Sequence, residues 1–202
     1  MNTKPKQFLK KDPNLAKIIE KIGDYKIRIT RNKFECLVEA IITQQLSGAA
    51  AKSISSQFRN IYNSRFPKPS DVAGTSVTKL KKAGLSSMKI RYIKNLSRSI
   101  VRGEIDLNKI SKLSDEEIIA ELTKLKGIGK WTVEMFLIFS LGRIDVLPVD
   151  DLGLQKGIAK LYNMSNLPKK RDIEIIAEKW KPYRTIATWY LWKSLQKFET
   201  IG

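Results

Sequence analysis

The sequence predicts an all-α protein. Three observations carry that prediction. Apolar residues recur at helical spacing through most of the chain, helix-start and helix-stop residues bracket those runs, and one short stretch alone alternates like a strand. Asp12-Pro13 reads as an N-cap followed by proline at the first helical position. Leu15, Ile18, Ile19 and Ile22 then form one face, and Gly23 ends the helix. Tyr25, Ile27 and Ile29 alternate, but a stable sheet needs further strands to pair with. Phe34, Leu37, Val38, Ile41 and Ile42 mark a second helix, with Cys36 as a core residue in the same run. Residues 48–61 are rich in Ala and Ser and read as a third, with Ser47 as its cap. Pro67 and Pro69 break the chain before Ser70.

Farther on, Ser86 can cap a helix carrying Ile90, Ile93, Leu96 and Ile100, which stops at Gly103. Ser114 and Glu117 have capping-box spacing. Helical patterns follow at 114–124 and 130–140, and again on Leu152, Leu154, Ile158 and Leu161. Residues 172–180 and 184–198 supply the last two. There is no fixed-period repeat, no low-complexity tract and no linker long enough to separate independent domains, so residues 1–202 read as one domain.

Composition narrows the function. Against 20 Asp and Glu stand 38 Lys and Arg, a formal net charge of +18. Such a surplus attracts polyanions, nucleic acid first among them, because each neutralised phosphate releases counterions. One cysteine and no histidine exclude an internal disulfide, a four-cysteine zinc or iron–sulfur cage and a Ser-His-Asp triad. No apolar run approaches the roughly 20 residues of a membrane span. The basic N-terminus is followed by no apolar signal core. The expectation is an intracellular, DNA-associated protein that does not engage a membrane.

The most specific segment is Leu125-Lys126-Gly127-Ile128-Gly129-Lys130-Trp131-Thr132, between two helical patterns. Its two glycines permit a tight turn and close backbone approach to a ligand. The helix that starts there presents free N–H groups and a positive dipole end, which suit a phosphate. Glycine spacing alone fits an ordinary helical hairpin equally well.

Downstream comes Val146-Leu147-Pro148-Val149-Asp150-Asp151-Leu152-Gly153. Taken together, these segments resemble the helix-hairpin-helix DNA glycosylase superfamily: LKGIGKWT its hairpin, LPVDDLG its loop ending in the catalytic aspartate. Two further stretches resemble the alkylbase (3-methyladenine type II) branch. Ile41-Ile42-Thr43-Gln44-Gln45-Leu46-Ser47 matches the start of its DNA-penetrating loop. Trp180-Lys181-Pro182-Tyr183-Arg184, leading to Trp189-Tyr190-Leu191-Trp192, matches its C-terminal signature. The resemblance spans residues 13 to 198.

The resemblance implies a two-lobed helical fold with the active-site cleft between the lobes. It divides the chain into a six-helix-type lobe at 33–112 and a second lobe from 1–32 plus 113–202, with the hairpin at 114–140. Asp151, directly before Leu-Gly, is the implied catalytic carboxylate, and Asp150 is left to cap or position the following helix. Locally, both aspartates could simply be caps. Bifunctional relatives carry a lysine one residue before the hairpin threonine, whose amine forms a Schiff base. Trp131 stands there instead, and Lys130 points about 100° away around the helix. The implied enzyme is therefore a monofunctional glycosylase of alkylated bases in duplex DNA.

Trp131, Met135 and Trp192 are the candidate base pocket, with core packing the competing reading for both tryptophans. Trp180 and Trp189 read as core or lobe-interface residues. Gly127, Gly129, Lys130 and Thr132 would meet DNA, as would Gln44, Gln45 and Leu46, with Gln45 or Leu46 filling the gap left by a flipped nucleotide. Lys52, Lys89 and Arg91 are either phosphate contacts or solvated surface. The resemblance further implies a monovalent cation on the backbone carbonyls of Thr123, Leu125 and Ile128. It implies no required cofactor, no iron–sulfur cluster, and damaged double-stranded DNA as the partner of a monomer. Two other readings remain open: a glycosylase/AP lyase of the same fold, and a non-catalytic hairpin module that only binds DNA.

Overall fold

A computed structural model of the chain describes residues 3–46 and 48–199. Thirteen helices and no strands occur among the described residues, as the all-α prediction requires. The chain forms two compact units: Met1–Ile29 with Gly142–Gly202, and Thr30–Leu141. The second unit therefore runs through the hairpin, rather than closing at residue 112 as the sequence suggested.

The chain opens with α1 (Thr3–Leu9) and α2 (Pro13–Ile22). Asp12 caps α2 by accepting from Asn14 N–H at 3.0 Å, and Gly23 ends it at φ 83. Residues 23–32 form neither helix nor strand. Tyr25 and Ile27 from this stretch pack on the core of the first unit.

In the second unit come α3 (Lys33–Thr43), α4 (Gly48–Asn60), α5 (Pro69–Gly74), α6 (Val77–Lys82), α7 (Ser87–Val101), α8 (Leu107–Ile110), α9 (Asp115–Leu122) and α10 (Lys130–Phe139). Ser86 and Ser114 are caps as expected, the latter in a reciprocal capping box with Glu117. Pro69 does not end order; it occupies the first turn of the short α5. Ser47, the expected cap of α4, lies outside the described residues. α3 is the central helix and packs on α4, α7 and α10. Its Leu37, Val38, Ile41 and Ile42 are fully buried. Cys36 is buried as well, and burial pushes its thiol pKa up to about 12, so it is an inert core residue. α10 is buried on nearly every face from Thr132 to Ile138. That is why the hairpin belongs to this unit: α10 packs on α3 and α9.

The first unit is completed by α11 (Leu152–Leu161), α12 (Lys170–Glu178) and α13 (Arg184–Glu199). α13 packs on both α11 and α2. Trp180 and Trp189 lie in this core, in agreement with the core assignment. Trp180 donates its indole N–H to the buried Asp12 at 2.9 Å, and Tyr162 O–H reaches the same carboxylate oxygen at 2.5 Å. The Asp12 cap thus also fastens α2 to the C-terminal part of the chain.

Candidate active site and hairpin

Asp151 sits at the N-cap of α11 in extended backbone and is half-buried. Its Oδ1 accepts the backbone N–H of Leu154 at 2.7 Å and the indole N–H of Trp192, also at 2.7 Å. Two hydrogen bonds on one oxygen fix the carboxylate plane. A charge held in a chosen direction can act on a reacting centre without reorganising. Trp192 is half-buried, and its polar edge serves Asp151, so it is more than filler for the core.

Asp150 does not cap the helix. Its carboxylate meets Lys170 at 2.7 Å, and Asp151 alone takes the cap geometry. The expected division of labour between the neighbours is therefore corrected: one residue is both the cap and the candidate catalytic group.

The residues around Asp151 explain why it stands where it does. Gly153 packs beneath the pair. A Cβ there would lie 2.8 Å from Trp192 Cδ1 and 3.0 Å from Asp151 Oδ1. One turn on, a Cβ at Gly157 would come within 2.8 Å of Leu191 Cβ. Two glycines on one face of α11 thus let α13 approach closely enough for Trp192 to reach the carboxylate. The loop before Asp151 is tied down at several points. Arg184 grips Asp145 through Nε at 2.8 Å and Nη2 at 2.9 Å. Thr185 Oγ1 accepts from Val146 N–H at 2.9 Å, and the Gln155 amide donates to the Val149 carbonyl at 2.9 Å. Asp145, Gln155 and Thr185 escaped the sequence reading. The signals that could have found them were Arg184 in the C-terminal motif and a lone aspartate in the loop.

The second cluster lies in the other unit. Gly127 has φ 98, a left-handed conformation that favours glycine. A Cβ there would fall 2.0 Å from Tyr92 Cγ, so the tyrosine ring lies directly on the turn. Gly129 differs. It has φ −89, a conformation open to any residue, and a Cβ would meet nothing within 4 Å. The tight turn therefore depends on Gly127, whereas the space around Gly129, just before α10, is open. Lys130 is exposed at the head of α10, 3.8 Å from Glu134. Trp131 is half-buried on the same helix, and Met135 is buried.

Gln44 and Thr132 were expected to face DNA, and here the structure corrects the reading. Thr132 is 1% exposed, and its hydroxyl accepts from the Gln44 amide at 2.8 Å. The same amide also reaches the Gly127 carbonyl at 3.3 Å. Both side chains are spent joining the end of α3 to the hairpin. Gln45 follows with φ 54 and is exposed, as is Leu46, so these two form the outward tip of the turn. Lys89 is half-buried, and its ammonium is engaged by backbone carbonyls. Its ammonium donates to the carbonyls of Ile42 at 2.6 Å and Gln44 at 2.9 Å, and burial lowers its pKa. Lys52 and Arg91 are exposed. Tyr92 is the other residue missed, since nothing local marks a ring that covers a distant glycine.

Comparison with known proteins gives a consistent result. Residues 38–182 match the model of the HhH-GPD superfamily base excision DNA repair protein family. The chain is 37% identical over 188 residues to DNA-3-methyladenine glycosylase 1 of Schizosaccharomyces pombe, covering 91% of this chain and 82% of the relative. It is 29% identical to a DNA-3-methyladenine glycosylase of Bacillus subtilis, over 94% of this chain and 66% of the relative. Among solved structures, a 3-methyladenine DNA glycosylase of Schizosaccharomyces pombe in complex with abasic DNA superposes with a TM-score of 0.89. Its sequence is 36% identical, and the match covers 96% of this chain and 97% of that one. A DNA-3-methyladenine glycosidase from Bacillus halodurans, also 36% identical, gives 0.77 over 96% and 90%.

Proposed function

This chain belongs to the HhH-GPD superfamily of base excision DNA repair proteins, and we propose that it is a monofunctional glycosylase that hydrolyses the N-glycosidic bond of alkylated bases in duplex DNA, with Asp151 as its catalytic carboxylate. The observation that carries this reading is the convergence of the Leu154 and Trp192 N–H groups on Asp151 Oδ1.

An N3- or N7-alkylated purine is cationic and already a good leaving group. Lengthening its glycosidic bond builds positive charge on the sugar. A carboxylate fixed beside C1′ stabilises that charge and orients a water molecule. The bond to the base breaks with its electron pair leaving on the purine, water oxygen bonds to C1′ and loses a proton through Asp151 to solvent, and the products are a free base and an abasic site. No histidine exists to act as the base. No lysine stands at position 131 to attack the sugar, and Trp131 there supports hydrolysis over Schiff-base chemistry. The half-buried indole of Trp131 suits the extruded base, whose electron-poor ring favours an indole face.

The hairpin supplies the anchor. The N–H groups at the start of α10, the cleared space at Gly129 and the exposed Lys130 together suit one backbone phosphate. Gln45 and Leu46 fill the stack when the nucleotide leaves. The carbonyls of Thr123, Leu125 and Ile128 offer neutral oxygen donors of the kind a monovalent cation takes. The Leu125 carbonyl also accepts the Ile128 N–H at 3.0 Å, which leaves it a second lone pair for such an ion. The chemistry itself requires no cofactor.

The test is release of 3-methyladenine and 7-methylguanine from methylated duplex DNA. Wild type releases them, Asp151→Asn nearly abolishes release, and strands stay intact until alkali or heat is applied. A protein–DNA adduct trapped by borohydride would overturn the monofunctional reading. No release from any alkylated duplex, with DNA binding intact, would favour a module that only binds.

A further inference from the structure

We propose that Lys89 is a positioning residue that sets the DNA-inserting turn Gln45–Leu46, holding it ready before DNA arrives; this rests on the glycosylase reading above. Lys89 is rooted at an unfavourable place for a cation. Lys89 lies in the first turn of α7, where the helix dipole disfavours a cation. Its side chain leaves that helix and delivers its ammonium to the C-terminal end of α3, where the dipole favours one.

The carbonyls at that end would otherwise be orphans. Thr43 Oγ1 donates to the Ala40 carbonyl at 2.9 Å, and the Leu46 N–H donates to the Thr43 carbonyl at 3.2 Å. Lys89 takes the carbonyls of Ile42 and Gln44. Gln44 is then gripped from two sides: its carbonyl by Lys89, its amide by Thr132 and Gly127. The next residue is Gln45, whose φ of 54 is costly for a side chain other than glycine. Two fixed ends on Gln44 hold the turn in that conformation. A turn already shaped for insertion spares the ordering cost at the moment a base is flipped.

The same device occurs elsewhere in this unit, which provides a control. Lys94 is buried and donates to the carbonyls of Ala73 at 2.9 Å and Thr75 at 2.5 Å, at the end of α5. Its removal tests the structural cost of losing a carbonyl-capping lysine without touching the inserting turn.

The experiment compares Lys89→Met, Lys89→Arg and Lys94→Met with wild type on two duplexes, one with the alkylated base paired and one with it in an unpaired bubble. Excision is measured under single turnover and melting temperature by circular dichroism. Lys89→Met is expected to lose at least tenfold on the paired substrate and less than threefold on the bubble, where flipping has no pairing to overcome. Lys89→Arg recovers most of the paired activity. Lys94→Met lowers the melting temperature and leaves the paired-to-bubble ratio unchanged. Equal loss on both substrates, or no loss on either, overturns the inference.

A second readout is independent of excision: 2-aminopurine opposite an abasic-site analogue. At saturating protein, Lys89→Met should show at most half the wild-type fluorescence change, with duplex affinity within threefold. An unchanged amplitude would sink the idea even if the protein excised nothing. A wild type without excision would instead count against the glycosylase reading.

Discussion

The indole N–H of Trp192 and the backbone N–H of Leu154 end on the same oxygen of Asp151, each at 2.7 Å. An aromatic residue on the last helix thereby sets the direction of a carboxylate at the start of another. Trp192→Phe keeps the ring and removes the donor. A hydrogen bond to a charged acceptor contributes about 1.5–3 kcal/mol. Excision should therefore fall roughly 10- to 100-fold, with duplex affinity little changed. Single-turnover release alongside a binding isotherm checks this.

Gly153→Ala should damage the same pair by another route. The added methyl meets Trp192 Cδ1 at 2.8 Å and Asp151 Oδ1 at 3.0 Å, so indole and carboxylate must part. Excision should fall at least as far as in Trp192→Phe. Adding Trp192→Phe to Gly153→Ala should cost little more, because both remove one interaction. Additive losses in the double variant would show that the glycine acts elsewhere.

The two hairpin glycines should separate cleanly. Gly127→Ala places a methyl within 2.0 Å of the Tyr92 ring at φ 98, and should destabilise the fold by about 2–4 kcal/mol. Gly129→Ala meets nothing and should melt like wild type, yet bind duplex DNA more weakly by obstructing approach to α10. Chemical denaturation and duplex titrations distinguish the two. Binding by wild type should also weaken steeply between low and physiological salt.

Stability should respond to acid through Asp12. Burial acts to raise its pKa, but hydrogen bonds from Tyr162, Trp180 and Lys179 outweigh that and leave it lowered. A carboxyl whose folded pKa is depressed adds stability that is fully present above the unfolded value of about 3.9. That stability is lost as pH falls through the folded value. Asp12→Asn should destabilise by about 2–3 kcal/mol at neutral pH, since an amide cannot satisfy all these donors. Its stability should also change less than wild type below about pH 4. An unchanged acid profile in the variant would remove Asp12 from the account.

Much of this was legible in the sequence wherever the physics is local. Asp12, Ser86 and Ser114 announce helix starts because a cap bonds residues two or three places on. The buried stripe of α3 follows from its spacing. The short helices α1, α5, α6 and α8 went unread, since four to seven residues carry too little periodicity. The site divides in the same way. Asp151 was found through motif order, but its identity as the cap, with Asp150 turned to Lys170, needed coordinates. Lys89 looked like a phosphate contact or solvated surface because its partners are carbonyls, which no side chain reveals. Thr132 and Gln44 looked ligand-facing because each is polar beside a functional turn. Their hydrogen bond to one another depends on a fold that joins distant segments.

Tyr92 lying on Gly127 has a consequence for anyone who would move this hairpin to another protein. The eight residues LKGIGKWT are not a portable cassette. Grafted alone, the turn would expose a face that here is roofed by an aromatic ring from α7, and the left-handed glycine would lose its cover. A working transplant has to carry a ring at the Tyr92 station and a glutamine at the Gln44 station as well. The smallest unit that an engineer could reuse is thus three separate stretches of chain, and searches for new members by hairpin sequence alone would gain discrimination by asking for all three.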